Sequence, residues 1–342
     1  MNNLHTVYLE VTNSCIKDCK HCFNRDINNL YQSELNLSEI QTIIDTLSDF
    51  GVNQMKIVGG EPILRSDIYE ILDYLEQKKM KYIIFTDSYD IINAVDILKE
   101  MKYLTEIRVS IDGNKEVHDY IRVTGDFQES IEAMSVLVSA GIPVYANYTI
   151  NKMNLSCIEE CYNILRKKNI PIKFGLVKLC NSVVFDSKLA FIDNVIDTRY
   201  FIDELNKIKQ SSSELYQNIV DNIHDSDAFI IEQKSSEFGN IGCYAGQMSC
   251  VIDSQGDIYP CGMVKGNNMF KYGNVLSDEF KECWKRMNEE WSSIKPSYEC
   301  TSCDLGTRCT GGCRANAIFH TGKLDDKDPN CLLYCNSLHQ FG

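Results

Sequence analysis

The sequence lacks the features that carry a chain out of a cell or into a membrane. Its first residues, MNNLHTVYLEVT, have no basic segment followed by a long apolar stretch, so a secretory signal is not expected. No apolar run approaches the roughly 18–20 residues that a membrane-spanning helix needs. These absences predict a cytoplasmic protein without a membrane partner.

An excess of positive charge is missing as well. The 342 residues include 34 Lys and Arg against 48 Asp and Glu, which gives a formal net charge of −14. Proteins that bind nucleic acid through its phosphates need a basic surface. The balance of charge therefore argues against a nucleic-acid partner.

Cysteine, in contrast, is abundant, with 16 residues in the chain. Disulfides are rare in proteins that are not exported, because the cytosol keeps thiols reduced. So many cysteines without a secretory signal favour metal ligation over disulfide bonding.

The first cysteine group is the run NSCIKDCKHCFN, which contains Cys15, Cys19 and Cys22. Its C-x3-C-x2-C spacing places three thiolates around one point. An iron–sulfur cluster normally takes four cysteines, so three leave one iron open to another ligand. A disulfide pair or a zinc site is the alternative, although the paired C-x2-C patterns of zinc sites fit this spacing poorly.

A glycine-rich turn, GGEP, directly follows the apolar run MKIV at 55–58, which is predicted to be a strand. Gly59 and Gly60 would let the backbone approach a ligand closely. Glu61 offers an anionic acceptor to an ammonium group, and Pro62 stiffens the turn.

Together these motifs resemble the radical S-adenosylmethionine (SAM) superfamily. The resemblance implies a 4Fe–4S cluster on Cys15, Cys19 and Cys22, with the amino and carboxylate groups of SAM on the open iron. Reduction of such a cluster cleaves SAM to a 5′-deoxyadenosyl radical. It also implies that the GGEP turn, residues 59–62, meets the amino group of SAM.

A further segment, RVSIDGNKEVHDYIR at 108–122, resembles the fourth-strand segment of the same superfamily. By that resemblance Ser110 and Arg122 approach the SAM ribose or carboxylate, and His21 lies close to the adenine. A solvated surface arginine is the alternative for Arg122, and a turn residue is the interpretation favoured for Asp112.

Strand and helix patterns alternate along the first half of the chain. The helix at 38–50 is predicted to start at Ser38, with Gln41 completing a capping box. Six βα-type units are too few for an eight-unit barrel and predict an α/β fold, a partial (β/α)6 barrel whose strand ends gather the motifs at one mouth. The predicted strands are 5–12, 54–58, 81–86, 104–111, 143–150 and 172–177, and the predicted helices are 38–50, 66–79, 90–101, 127–140 and 154–168.

Cysteines return from residue 243 in a second pattern. Cys243 and Cys261 form C-x12-G-x4-C around Gly256, and a C-x2-C-x5-C-x3-C run and a final cysteine follow. The pattern resembles the SPASM domain, which implies two auxiliary 4Fe–4S clusters with eight ligands and so three clusters in the chain. By that resemblance, the first auxiliary cluster takes Cys243, Cys250, Cys261 and Cys313, and the second takes Cys300, Cys303, Cys309 and Cys331.

Two assignments among these cysteines stay open, and some cysteines are not assigned to a cluster. Cys335 could replace Cys331 as a ligand, and a zinc knuckle over 300–313 is the alternative to the clusters. The cysteines without a cluster are Cys157, Cys161, Cys180 and Cys283. Cys157 and Cys161 share a predicted helix face and are expected to be buried structural thiols.

The predicted domains are a radical SAM partial barrel at 1–185, a helical bridging region at 186–236 and a SPASM domain at 237–342. The auxiliary clusters are expected to transfer electrons, with a reductant such as flavodoxin or ferredoxin as partner. Similar enzymes carry a leader-peptide recognition element before the first motif. Here Cys15 comes almost at once, so a separate recognition protein, or docking in the barrel and SPASM groove, is expected.

The resemblance favours modification of a peptide or protein substrate, as a cross-link, thioether, epimerisation or oxidation. Gly262 stands where similar sulfatase maturases carry an Asp as base, so that chemistry is in doubt and no catalytic base is assigned. Radical oxidation or decarboxylation of a small metabolite is the alternative. A non-catalytic iron–sulfur electron-transfer protein is disfavoured, because it would have no use for the GGEP turn.

Overall fold

One eight-stranded sheet runs through the protein. The computed structural model describes residues 4–25, 33–122, 126–181, 186–190, 196–223, 243–301, 303, 309 and 311–331. In this part of the chain no helix is long and apolar enough to cross a membrane. The strands are β1 (Thr6–Thr12), β2 (Gln54–Gly59), β3 (Lys81–Thr86), β4 (Leu104–Ile111), β5 (Val144–Ile150), β6 (Ile172–Leu176), β7 (Ser249–Ile252) and β8 (Ile258–Tyr259).

The first six strands form the expected partial barrel. The strand order is β6-β5-β4-β3-β2-β1-β7-β8, and every neighbouring pair from β6 to β1 is parallel. β6 lies at an edge of the sheet and is not paired with β1, so the barrel is open. Parallel strands bring their carboxyl ends to one side of the sheet, which confirms a single mouth for the motifs.

Helices connect the strands and cover one face of the sheet. On α1, the apolar residues Ile40, Ile43, Ile44 and Leu47 recur at helical spacing and are all fully buried. The described helices are α1 (Leu37–Phe50), α2 (Ile68–Gln77), α3 (Val95–Leu98), α4 (Lys115–Arg122), α5 (Phe127–Ser139), α6 (Ile158–Arg166), α7 (Ile196–Ser211), α8 (Ser213–Asn222), α9 (Phe280–Ser293), α10 (Tyr298–Thr301) and α11 (Arg314–Thr321).

The strands present an apolar face to these helices and a more polar face to the inside of the barrel. On β4, Ile107, Val109 and Ile111 are fully buried in the core, whereas the alternating Arg108 and Ser110 are half-buried. This period of two is the side-chain alternation of a strand. Because of this alternation, the Ser110 side chain points to the concave face of the sheet.

The C-terminal domain extends the same sheet. β7 pairs in parallel with β1, with Thr6 opposite Ser249 and Leu9 opposite Ile252, and β8 turns back antiparallel to β7. A buried ion pair of 2.6 Å between Glu10 Oε2 and Lys265 Nζ adds a second link between the two parts. This hairpin was not expected from the sequence.

Two local predictions differ from the structure. The helix predicted at 90–101 is a 3₁₀ turn, Ile91–Ala94, followed by the single turn α3. α4 was not predicted as a helix. The N-cap of α1 is Asn36 rather than Ser38: its side chain accepts the Glu39 N–H at 3.1 Å, and the Glu39 carboxylate accepts the Asn36 N–H at 2.8 Å.

The capping box of α1 provides a direct stability test. We expect Asn36→Ala to lower the free energy of unfolding by about 0.5–2 kcal/mol, because it leaves a helix N–H without its acceptor. Ser38→Ala, the control, removes only a hydroxyl that donates to Asn36. Urea unfolding should show the larger loss for Asn36→Ala, and the reverse order would restore Ser38 as the cap.

Candidate active site and cysteine clusters

The first cysteine group forms a loop directly after β1. Burial raises the pKa of Cys15 to about 11 and that of Cys19 to about 12, and the Cys22 thiol adds to both shifts. Burial also raises the pKa of Cys22. The three thiols therefore lie close together, with Cys15 exposed and Cys19 and Cys22 half-buried. Because a metal binds thiolates, a bound cluster would have to displace these protons.

Three contacts hold this loop against the segment that follows β4. Lys17 forms a salt bridge with the buried Asp126. The backbone N–H of Lys20 donates to the carbonyl of Ile121 at 2.9 Å. His21 Nε2 lies 3.3 Å from Asp112 Oδ2. These contacts fix the cysteine loop to α4 and to Asp112 and Asp126 on either side of α4, in addition to its chain connection to β1.

Asp112, at the end of β4, is the centre of a buried charge network. Its Oδ2 accepts a hydrogen bond from Arg122 Nε at 2.6 Å, and its Oδ1 accepts the Thr149 N–H at 3.3 Å. Burial opposes ionisation of this carboxyl, but Arg122 and His21 outweigh it and hold the pKa of Asp112 well below its usual range. Arg122 is only 9% exposed, so it is not a solvated surface arginine.

Gly59 and Gly60 bring the GGEP turn against the cysteine loop. A Cβ on Gly59 would lie 2.4 Å from the carbonyl oxygen of Thr12, and one on Gly60 would lie 2.1 Å from that of Ser14. The N–H groups of Gly60 and Glu61 donate to these same two oxygens, each at 2.8 Å. The close approach in the structure is therefore to the protein's own backbone, and only glycine fits there.

Glu61 connects the turn to β3. Its carboxylate is 1% exposed and accepts hydrogen bonds from Ile63 N at 3.1 Å, Thr86 Oγ1 at 2.8 Å and Asp87 N at 2.7 Å. Pro62 begins the 3₁₀ turn Pro62–Leu64. Burial, together with the charge of Asp87, raises the pKa of Glu61 well above its usual range.

Asp87 is a site residue that the sequence analysis missed. It is 6% exposed, its Oδ1 accepts the Tyr89 N–H at 3.0 Å, and its Oδ2 has no hydrogen-bond partner among the described residues. Its charge acts on Cys15, Glu61 and Arg122. Two neighbouring buried carboxyl groups favour a cation beside them. The signal was available, since Asp87 directly follows β3 at the same sheet edge as the GGEP turn.

The C-terminal cysteines form two groups. Burial is the main cause of the raised pKa of Cys243, Cys261 and Cys313. Cys243 adds to the shifts of the other two, Cys261 adds to that of Cys313, and the pKa of Cys261 reaches about 12. In the other group, burial raises the pKa of Cys309, and Cys300 and Cys303 add to that shift. Cys250 shows no such neighbours, since burial alone raises its pKa.

Two charged residues connect the groups. Asp328 is 1% exposed, accepts the Cys313 N–H at 2.6 Å and, through its carbonyl, the Cys331 N–H at 2.9 Å. Arg314 is buried and interacts electrostatically with Cys243 and Cys313 of one group and with Cys300 and Cys309 of the other. Cys335 lies outside the described residues.

Family comparisons match both parts of the chain. The model of the radical SAM superfamily matches residues 9–170, which include the first cysteine group and the GGEP turn. The model of the SPASM iron–sulfur cluster-binding domain matches residues 243–310.

Individual proteins are similar over almost the whole chain. The AdoMet-dependent heme synthase of Methanosarcina barkeri is 25% identical over 94% of this chain and 95% of its own length. The mycofactocin maturase MftC of Mycobacterium tuberculosis is 27% identical over 94% of this chain and 81% of its own length. The crystal structure of Streptococcus suis SuiB bound to its precursor peptide SuiA shares the fold, with a TM-score of 0.73 and 21% identity over 94% of this chain and 74% of SuiB.

The Asp112–Arg122 pair yields a second prediction. We expect Asp112→Asn to lower the free energy of unfolding by about 3–5 kcal/mol, because it leaves the buried guanidinium without its counter-charge. The amide oxygen can still accept the Thr149 N–H. Chemical unfolding followed by circular dichroism measures the loss.

The exposed pair Asp96–Lys99 supplies the control, because Asp96→Asn breaks an ion pair that water already screens. A loss for Asp112→Asn no larger than the loss for Asp96→Asn would show that the buried pair does not organise the site.

Proposed function

We propose that the chain is a radical SAM enzyme with a C-terminal SPASM domain, and that it modifies a residue of a peptide or protein by hydrogen abstraction. The observation that carries this proposal is the packing of the GGEP turn against the three-cysteine loop. Through it, the Gly59–Gly60 backbone, Glu61 and Asp87 lie beside the Cys15 thiol.

In this proposal Cys15, Cys19 and Cys22 hold a 4Fe–4S cluster with one open iron. Three neighbouring thiols, of which Cys15 is exposed, are a suitable donor set for such a cluster. When bound and reduced, such a cluster would supply the one electron for cleavage of SAM to methionine and a 5′-deoxyadenosyl radical. Around it, the chain's own residues bind and orient SAM.

Charge complementarity assigns the SAM contacts. The Glu61 and Asp87 carboxyl groups and the GGEP backbone, residues 59–62, bind the methionine ammonium group. The unpaired Asp87 Oδ2 supports this role. Ser110 and Arg122 approach the ribose or carboxylate, and His21 the adenine. The position of Ser110 on the concave face of β4 and the burial of Arg122 and His21 support these contacts.

Two auxiliary 4Fe–4S clusters bring the proposed total to three. Cys300, Cys303, Cys309 and Cys331 would hold one, and Cys243, Cys261 and Cys313 supply three ligands to the other. Fully ligated clusters have no open iron for substrate, so electron transfer to or from a substrate radical is their proposed role. A reductant such as flavodoxin or ferredoxin would supply electrons, and a cytoplasmic location remains a prediction.

The proposed domain bounds are 1–185 for the barrel, 186–236 for the bridging region and 237–342 for the SPASM domain. The two family matches, 9–170 and 243–310, fall within the first and the last. The described helices α7 and α8 fall within the bridging region.

A peptide substrate is supported by two comparisons and by the barrel surface. SuiB, which has the same fold, was crystallised with a precursor peptide, and MftC is a maturase. Half-buried polar residues line the concave face of β4 and β5, among them Ser110, Asn147 and Thr149. Such side chains can hydrogen bond to the amides of an extended peptide.

Modification of a small metabolite is the second candidate function. The heme synthase of M. barkeri matches this chain over 95% of its own length at 25% identity, close to the 27% of MftC. An oxidation or decarboxylation would use the same SAM site. The two functions differ only in what the barrel mouth admits.

The test of the proposed function traces the hydrogen atom that the 5′-deoxyadenosyl radical would abstract from the substrate. Reduced enzyme is incubated with SAM and a short peptide encoded beside the gene, deuterated at the candidate carbon. We expect deuterium in 5′-deoxyadenosine and a matching mass change in the peptide. A variant with Cys15, Cys19 and Cys22 all replaced by Ala is the control and should form no 5′-deoxyadenosine.

Two results would count against the proposal. Formation of 5′-deoxyadenosine by the triple variant with dithionite would refute the assignment of the catalytic cluster. An unchanged peptide, together with turnover of a small metabolite, would replace the first function by the second.

A further inference from the structure

We infer that Cys180, which follows strand β6 of the barrel, is the fourth thiolate of the first auxiliary cluster, together with Cys243, Cys261 and Cys313. Cys250, which the spacing of the sequence suggested for this position, is instead a thiol of the hydrophobic core. The inference rests on the proposed function, because it assumes that the SPASM domain holds this cluster.

Two hydrogen bonds place Cys180 between the loops that carry the other ligands. The N–H of Leu179, the preceding residue, donates to Asn316 Oδ1 at 2.7 Å, and Asn316 lies one helical turn after Cys313. The N–H of Asn181, the following residue, donates to the carbonyl of Met263 at 2.9 Å, two residues after Cys261. The backbone of Cys180 is thus fixed on both sides.

Further contacts strengthen this placement. The Asn181 side chain donates to the Lys265 carbonyl at 3.2 Å, in the same loop after Cys261. Asn316 is 1% exposed and also donates to Asp328, which accepts the Cys313 N–H. The contacts to the segment after β6 are therefore built from buried groups that also organise the cysteine group.

The electrostatic neighbourhood agrees with this geometry. Burial and Cys243 contribute most to the raised pKa of Cys261, and the Cys180 thiol raises it further. Lys178, two residues before Cys180, acts in the opposite sense on Cys243, Cys261 and Cys313. The segment 178–180 therefore lies close to Cys243, Cys261 and Cys313.

Cys250 lies in a different environment. It is opposite Val7 in the parallel pairing of β7 with β1, so the two side chains point to the same face of the sheet. Val7 and Cys250 are both fully buried in the apolar core. Burial is the one cause of the raised pKa of Cys250, whereas Cys243 adds to the effect of burial on the pKa of Cys261 and of Cys313. To bind a cluster, the Cys250 side chain would have to leave the core face of β7.

A ligand from the barrel has a structural consequence. Cys180 belongs to the segment that leaves β6 at the barrel mouth, whereas its three partners belong to the C-terminal domain. A cluster with this ligand set joins the two domains through metal–thiolate bonds. Because metal binding of this kind is coupled to folding, loading the cluster would also fix the C-terminal domain against the mouth.

The test uses protein in which Cys15, Cys19 and Cys22 are replaced by Ala, so that only auxiliary clusters remain. This background should hold about eight irons per chain, four in each cluster. Adding Cys180→Ala should remove the first cluster or convert it to a three-iron form, with the corresponding EPR signal after oxidation. Adding Cys250→Ala, the matched control at a more deeply buried thiol, should leave the iron content and spectrum unchanged.

Cys180→Asp guards against a variant that loses iron only because it folds poorly. An aspartate keeps an anionic ligand at the site, so the cluster should be retained with a changed EPR spectrum and reduction potential. A residue with only a structural role would leave both unchanged. Retention of the second cluster and the far-ultraviolet circular dichroism spectrum report on folding in each variant.

Three different results would contradict this inference. Loss of four irons in Cys250→Ala with an unaltered Cys180→Ala protein would restore Cys250 as the ligand. Unchanged spectra in Cys180→Ala and Cys180→Asp would exclude Cys180. A background protein without auxiliary iron would overturn the proposed function, and this inference with it.

Discussion

Strand β1 is hydrogen bonded on both sides, and this double pairing positions the cysteine groups of both parts of the chain. On one side it pairs with β2, which ends in the GGEP turn, and on the other with β7 of the C-terminal domain. Its own end leads into the three-cysteine loop. A shift of β1 by one residue would turn its core face toward the concave side, so its register is strongly constrained.

The buried ion pair of Glu10 with Lys265 reinforces this frame. Glu10 is on the concave face of β1, and its second carboxylate oxygen accepts a hydrogen bond from Asn24 at 3.1 Å, just after the cysteine loop. Lys265 follows Cys261 in the C-terminal domain. One buried carboxylate therefore contacts a residue just after the first cysteine group and a residue just after Cys261. Removing either charge would leave the other desolvated, so the pair favours one docked arrangement of the domains.

Much of the fold was accessible from the sequence, because it depends on local periodicity. The six barrel strands lie within one residue of their predicted ends, since alternation and turn residues mark them. The cap of α1 was misplaced because Asn36 and Ser38 both suit an N-cap, and only the backbone geometry distinguishes them. The addition of β7 and β8 was missed because two short strands far along the chain give little signal of which edge they join.

The residues of the candidate site also divide into those that a local sequence pattern identifies and those that only the fold brings together. The three-cysteine loop and the GGEP turn were visible as motifs, but the burial of Arg122 depends on Asp112, whose location in the core no spacing reveals. Asp87 and Cys180 are isolated in the sequence and acquire neighbours only through the sheet. For Cys250 the two kinds of evidence diverge, because its distance along the chain suits a ligand while its strand turns it into the core.

The central claim is that this chain assembles three iron–sulfur clusters on one continuous sheet. Iron and sulfide analysis after anaerobic reconstitution of the full chain tests it most directly. Three 4Fe–4S clusters would give about twelve irons and as many sulfides per chain. A stable content of about four irons, with zinc bound at the C-terminal cysteines, would contradict the account.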